Sequence, residues 1–485
     1  MTDLPAARDL IDGQFLVPTN YLQSTIDDPN TEAVLEVQLA THLDSVEAAV
    51  KAAHRVHADK SWLDLGMEGR AEALERLADE LGIRAQAIGA VESLNPGIIT
   101  SVAQPMAGGC ADQVRGIVEQ LRRDGDGIDL PGKGTGGPVR LRRDPWGPAV
   151  VLAPWNAPSP TAVGKTAAAM AAGCPVILKA SEWAPGSSRL LAEAADAAGL
   201  PAGVFQLVHG GAEVGAALVS DPRVRAICLT GGLAAGRAVA VASAPNFTRL
   251  QLELGGNNPV IVMPDADLGA TVRALATGIT KLNGQWCEAP GKLFVPAHMH
   301  DTFVDALIAS LGELVVGSSE SDSTDIGPLA FREHRALVRA QIAALVAQGG
   351  RAIESHQEVP SQGWFLSPTV IIGAPSRAAA GEVFGPVVTV HPYTRLEEAI
   401  HLAGESSDGL AGYVFGTDTA HALAIGSQLP GGEIKVNGTS LFDLTAESHQ
   451  SFWGQSGYGG HGSGEALEFF RGNRIVGVDN SEAPI

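Results

Sequence analysis

The chain has 485 residues, 45% of them hydrophobic, which points to about two or three domains with sizeable cores rather than to one. A formal net charge of −21 argues against nucleic acid and anionic membranes as partners. The cysteines, Cys110, Cys174, Cys228 and Cys287, are scattered without a CxxC pair, which argues against a disulfide framework or a metal site and suits a reducing compartment.

The first residues, Met1-Thr2-Asp3-Leu4-Pro5, lack the basic-then-apolar pattern of a signal peptide, so a soluble cytoplasmic protein is expected. Residues 8–20 read as a short edge hairpin around Asp12-Gly13. From Leu43 to about Leu94, apolar residues recur at helical spacing: Val46, Ala49, Val50, Ala53, then Ala73, Leu74, Leu77, Leu81. The stretch Gly125 to Trp146 is Gly-rich and then alternates through Val139-Arg140-Leu141-Arg142-Arg143, as an exposed β-ribbon does. Such an edge needs a partner, another subunit among the candidates, unless it is an ordinary surface hairpin.

From Ala149 strands and helices alternate. Strands at 149–153, 175–179, 204–208 and 226–230 are followed by helices near 161–172, 187–198, 212–219 and 233–242. That order predicts a parallel, doubly wound sheet with its ligand at the carboxyl ends of the strands. Those ends carry Pro154-Trp155-Asn156, Lys179-Ala180-Ser181-Glu182 and Thr230-Gly231-Gly232. A short strand then delivers Glu253, and Gly255-Gly256 turns the chain into a second α/β series. That series runs through strand 260–262, helix Leu268–Leu282, the Cys287 turn, strand 292–295 and helix 301–314. Further strands are expected near 369–372, 387–390, 413–415 and 434–436, and Asn473 to Val478 has strand character suited to pairing with the Val139–Arg143 ribbon.

A reactive cysteine needs partial exposure and a stabilised thiolate. Cys287, in the polar turn Gly284-Gln285-Trp286-Cys287, suits that role, although a lone cysteine is equally a small buried hydrophobe. Lys179 ends an apolar strand, and Glu182 follows three residues on. This pair suits the hydroxyls of an adenosine ribose, and a carboxylate there favours NAD over NADP. The same pair also reads as a plain surface ion pair. The Thr230 to Gly236 segment is a strand-to-helix turn whose backbone N–H groups can hold a pyrophosphate, a weak signal by itself.

Taken together, these segments resemble the aldehyde dehydrogenase superfamily along almost the whole chain. The resemblance rests on Pro154-Trp155-Asn156-Ala157-Pro158, Lys179 to Glu182, Leu229-Thr230-Gly231-Gly232, Leu252 to Pro259, Gly284-Gln285-Trp286-Cys287 and Glu382-Val383-Phe384-Gly385-Pro386. It implies Cys287 as nucleophile, Glu253 as general base for thioester hydrolysis, and Asn156 with the Cys287 backbone N–H as oxyanion donors. It further implies an NAD site of Trp155, Lys179, Ser181, Glu182, Thr230, Gly231, Gly232, Glu382 and Phe384. The implied fold has a NAD-binding domain (1–130 and 147–255), a catalytic domain (256–455) and an oligomerisation arm with C-terminal strand (131–146 and 456–485), assembling as a homodimer or homotetramer.

Several residues depart from the family pattern. Ala157 and Gly164 stand where large side chains are common, which would widen the substrate funnel and suit a bulky or ring-bearing aldehyde, unless Trp155, Trp286 or Trp453 refills the space. Glu288 follows the nucleophile, where it would raise the thiol pKa, attract a cationic substrate, or point away. Gly460-His461 replaces the usual Arg-Glu, leaving His461 as a proton-path group or a loop histidine. Lys435 would meet a substrate anion or face solvent. A cofactor-free Cys287/Glu253 thioesterase and a catalytically retired binding protein are the competing readings.

Overall fold

The computed structural model describes residues 3–133, 137–356, 358–445 and 447–479. Of the expected domain and arm segments, residues 1–2, 134–136, 357, 446 and 480–485 lie outside the described residues.

The strands Ala149–Leu152, Val176–Lys179 and Phe205–Val208 are buried along their whole length, as parallel strands covered on both faces must be. They belong to an eight-stranded sheet. Its spatial order is Gln14–Leu16, Asp9–Ile11, Phe205–Val208, Val176–Lys179, Ala149–Leu152, Ala226–Gly231, Arg249–Leu254, Gly457–Tyr458. The chain enters at Ala149–Leu152, steps outward through two strands, then returns to the other side at Ala226–Gly231. That reversal opens a crevice beyond the carboxyl ends of the two central strands, where ligands of such sheets bind. The hairpin expected near Asp12-Gly13 closes one edge, pairing Asp9–Ile11 with Gln14–Leu16.

The apolar faces of Gly66–Leu94, Pro158–Ala171 and Gly186–Ala197 pack on one side of this sheet. Helices Leu43–Asp59, Ala212–Ser220 and Leu233–Ser243 cover the other. A 25-residue helix, Thr100–Asp124, joins the first group, although Pro105 and several glycines break its helical pattern in the sequence.

A seven-stranded sheet follows, ordered Arg351–Glu354, Thr369–Ile372, Val387–Tyr393, Pro290–Pro296, Asn258–Val262, Ala411–Phe415, Glu433–Val436. The helix expected to reach Leu282 stops at Thr280, because Leu282 and Asn283 both turn left-handed, with φ of 49° and 59°. Asn283 holds this turn, donating to the Gly97 and Pro328 carbonyls at 2.7 and 2.9 Å. Gly284 completes it at φ 79°, with a Cβ position only 2.1 Å from Pro386 N, so no other residue fits.

The C-terminal strand Arg471–Gly477 pairs antiparallel with Val139–Pro145, matching Asn473 to Arg143, and Gly127–Leu130 flanks the ribbon on its other side. No helix among the described residues is long and apolar enough to cross a membrane.

Candidate active site

Thr230 and Glu253 are register partners on adjacent strands, so the first sheet presents both at its carboxyl edge. Cys287 precedes strand Pro290–Pro296 of the second sheet, and the left-handed turn at Leu282–Gly284 brings it back to meet Glu253. Asn258 fixes the approach, donating to the carbonyls of Cys287 and Ala289 at 2.9 Å each, while Asn257 donates from its backbone to Asp408. The thiol donates to Glu253 Oε1 at 3.6 Å. Burial, then the charges of Glu253, Glu288 and Glu382, push the Cys287 thiol well above its ordinary pKa, so the resting side chain is a thiol.

Glu253 is shared. Its Oε2 faces His461 Nδ1 at 3.2 Å and accepts from Thr230 Oγ1 at 3.4 Å. Burial pushes this carboxyl up, but the His461 charge and hydrogen bond, with Lys165 behind them, hold it down at about 2. Lys165 Nζ sits on Gln251 Oε1 at 2.6 Å, on the same strand as Glu253. His461 therefore is no free loop histidine. Its Nε2 faces Gln450 Oε1 at 2.6 Å. The Gln450 amide cannot flip, since its nitrogen donates to Glu288 Oε1 and the Leu410 carbonyl at 3.2 and 3.1 Å. Both ring nitrogens of His461 thus meet acceptors, and both carry protons.

Asn156 spends one amide hydrogen on the Gln285 carbonyl, at 2.8 Å, and keeps the other. No acceptor among the described residues takes the Cys287 backbone N–H.

A cleft of about 520 Å³ runs from Cys287, Glu253 and Asn156 along the switch point of the first sheet. Trp155, Lys179, Ser181, Glu182, Thr230, Gly231, Gly232, Glu382 and Phe384 all line it. A Cβ on Gly232 would meet nothing within 4 Å, so the turn at the start of helix Leu233–Ser243 opens onto the cleft with uncapped N–H groups. Lys179 and Glu182 pair at 3.0 Å. Burial raises the Glu382 carboxyl to about 8, and its Oε1 accepts from Gly256 N at 3.3 Å. A Cβ on Gly255 would lie 2.0 Å from that carboxyl, which explains the glycine there. Basic, carboxylate and backbone donors spread along an elongated glycine-lined cleft fit a dinucleotide.

A family model described as "Aldehyde dehydrogenase family" matches residues 19–476. The chain belongs to the aldehyde dehydrogenase family. It is 34% identical to a geranial dehydrogenase of Castellaniella defragrans, over 88% of this chain and 90% of that one. It is 33% identical to a 4-(hydroxymethyl)benzenesulfonate dehydrogenase of Comamonas testosteroni, over 96% and 97%. An aldehyde dehydrogenase of Pseudomonas syringae, solved with NAD+ and octanal, superimposes with a TM-score of 0.92 at 29% identity, covering 100% of both chains. The α/β architecture with parallel sheets is that of this family.

The five residues expected around the substrate do not lie along this cleft. Ala157 and Trp286 instead pack, together with Cys287, in an apolar cluster that includes Val102, Met106 and Leu441. Gly164 does not widen a funnel: Gln113, from helix Thr100–Asp124, lies 2.3 Å from where its Cβ would be. Trp453 refills nothing; it is 60% exposed, on a two-residue strand paired with Gly409. Glu288 is 6% exposed, with both oxygens engaged by Gln450 and Lys435, so it is closed to a cationic substrate. Lys435 neither faces solvent nor is free for an anion: it is 2% exposed and pairs with Glu288 at 3.3 Å and Glu433 at 2.9 Å. The sequence held a signal for Lys165, a lone cation in an apolar helix. It held none for Gln113 or Gln450.

Proposed function

We propose that this aldehyde dehydrogenase oxidises a bulky or ring-bearing aldehyde to its acid with NAD, through a covalent adduct on Cys287. The observation that carries the reading is the 3.6 Å contact between the Cys287 thiol and the Glu253 carboxylate at the end of the dinucleotide-shaped cleft. Glu253 accepts the thiol proton, and the thiolate attacks the carbonyl carbon, forming the C–S bond. The free Asn156 amide hydrogen and the Cys287 backbone N–H hold the oxyanion that develops. When bound, NAD supplies the hydride acceptor that turns this adduct into a thioester on Cys287. Glu253, its proton lost to solvent, then takes a proton from water as the water attacks the thioester; the acid leaves and the thiolate is restored.

Lys179 and Glu182 hold the adenosine ribose in this reading, and the Glu182 carboxylate disfavours a 2′-phosphate, hence NAD over NADP. The preference for bulk rests on Ala157, a small side chain in the apolar cluster beside Cys287. Relatives named for geranial and for an aryl sulfonate fit that preference.

The test is stopped-flow NADH formation from benzaldehyde, with intact-mass analysis of the enzyme. Cys287→Ala should abolish turnover. Glu253→Gln should accumulate an acyl adduct on Cys287, with its release slowed about 100-fold or more. Wild-type turnover by Cys287→Ala, or an adduct on another residue, would overturn the mechanism.

A further inference from the structure

We propose that Thr41, Arg189 and His209 are positioning residues for the adenosine half of NAD: they hold the turn 209–211, part of the wall of the dinucleotide cleft, against Glu182. This rests on the assignment of Glu182 to the adenosine ribose above and adds to it what keeps that end of the cleft in shape.

Strand Phe205–Val208 runs into His209, and helix Ala212–Ser220 follows the turn. Gly210 turns at φ 135°, and Gly211 lines the cleft together with Gly215, Ala216 and Val219 of that helix. A Cβ on Gly211 would lie 3.7 Å from Glu182 Oε1 and 3.8 Å from Leu22 Cδ1, so the turn sits between the acid and the hairpin strand Asn20–Asp27. The outer edge of the sheet does little to fix it. Strand Asp9–Ile11 meets Phe205–Val208 through the single register pair Leu10 and Leu207.

Side chains fix it instead. Thr41, just after strand Val34–Ala40, grips the His209 backbone twice: its N–H donates to the His209 carbonyl at 3.0 Å, and its hydroxyl oxygen accepts from His209 N at 2.8 Å. The same hydroxyl donates to Asp9 Oδ1 at 2.8 Å. Arg189, on helix Gly186–Ala197, donates from Nε to His209 Nε2 at 3.2 Å. A guanidinium offers only donors, so Nε2 is the acceptor and the imidazole proton stands on Nδ1, which donates to Asp9 Oδ1 at 2.9 Å. The remaining guanidinium nitrogens bind Glu36 at 3.0 and 2.5 Å. The hairpin that carries Glu36 and leads to Thr41 is pinned at its far end as well. There Trp364 N donates to the Pro29 carbonyl and Ser319 N to Asn30 Oδ1, both at 2.8 Å. The turn 209–211 is therefore tied to a support held at two ends.

Asp9, Thr41, Arg189 and His209 are buried, and none of them lines the cleft. A buried polar cluster of this kind adds little stability over well-packed apolar side chains; what it provides is one fixed geometry. The geometry fixed here is the one that adenosine meets, with Gly211 beside Glu182 and the helix Ala212–Ser220 aligned along the cleft.

The experiment uses the full-length enzyme, with NAD as the varied substrate and with ADP-ribose, a ligand for the adenosine half, followed by calorimetry. Thr41→Val keeps the shape of the side chain and removes the hydroxyl. It should weaken ADP-ribose binding and raise the KM for NAD about fivefold or more, while kcat at saturating NAD should not fall by more than about twofold. Thr41→Ser, which restores the hydroxyl, should recover most of both. Arg189→Met should act in the same direction as Thr41→Val. An unchanged KM for NAD in Thr41→Val, a kcat that falls while ADP-ribose affinity holds, or a Thr41→Ser as impaired as Thr41→Val overturns the proposal. Glu182→Gln separates the two readings. If it leaves ADP-ribose affinity unchanged, the assignment of Glu182 to the ribose fails, and the Thr41 and Arg189 measurements still judge the turn.

Discussion

At the scale of single residues, the pairing of Glu253 with His461 sets, in the mechanism proposed above, the pH range over which Glu253 acts as base. Glu253 is depressed from 4.5 to about 2, so the stability it contributes is present above pH 4.5 and lost as pH falls towards 2. His461 is raised above 6.5, burial being outweighed by Glu253, so its contribution is full below pH 6.5 and lost as pH rises through its folded pKa. The ion pair thus helps hold the site together between those limits. Replacing His461 with leucine removes the cation and leaves the burial. The Glu253 pKa should then rise by at least one unit, and thioester hydrolysis should lose its base at correspondingly higher pH. Single-turnover decay of the acyl-enzyme between pH 2 and 7 measures this. An acid limb in His461→Leu that coincides with wild type would mean that Lys165 alone controls the carboxylate.

At the scale of elements, the helix Pro158–Ala171 begins two residues after Asn156 and takes its N-terminal anchor from another helix. Glu92, on Gly66–Leu94, accepts from Ser159 N at 2.8 Å and from Ser159 Oγ at 3.0 Å. Burial raises this carboxyl to about 7. A raised acid contributes stability that is full below pH 4.5 and drains as pH rises through 7, at most roughly 3 kcal/mol. Glu92→Gln keeps an acceptor for Ser159 N and removes the charge. Its melting temperature relative to wild type should therefore climb from pH 5 to pH 8; a pH-independent difference would show that Glu92 does not titrate there. The helix capped in this way was legible in the sequence, as were the strands around it, because each strand end carried a residue with a chemical reason to be there. The helix Thr100–Asp124 was not. Pro105, Gly108, Gly109 and Gly116 interrupt its pattern, and packing against its neighbours, rather than propensity, holds it. The partner of His461 was equally hidden. It is 208 residues distant in sequence and is brought in by two-residue Gly457–Tyr458, which pairs with the Glu253 strand.

At the scale of the whole molecule, the cleft between the two sheets is bridged by aromatic rings from both sides. Trp183, directly after Glu182, stacks on Phe331 with centroids 4.1 Å apart and planes 9° off parallel. Phe331 precedes helix Arg332–Ala347, and Trp155 meets it and Phe384 edge-on at 5.3 and 5.4 Å. His334 completes the group at 4.9 Å from Trp155; burial lowers its pKa to about 4, so the neutral ring donates from Nε2 to the Phe384 carbonyl at 2.6 Å. Trp155, Trp183 and Phe384 line the dinucleotide cleft, whereas Phe331 stands behind them and holds them in place. The stack therefore ties the two walls of the cleft together through ring contacts. An aromatic pair of this kind contributes about 0.5–1.5 kcal/mol, which corresponds to roughly a two- to tenfold change in a rate it controls. Phe331→Ala should raise the NADH dissociation rate by that factor, followed by the loss of nucleotide fluorescence after mixing with excess NAD. Alkylation of Cys287 by iodoacetamide should be unchanged, since no described contact joins Phe331 to the thiol. If NADH left Phe331→Ala at the wild-type rate, the clasp would be ornamental to release, and the grip on the dinucleotide would lie with the Lys179–Glu182 pair and the Gly231–Gly232 turn alone.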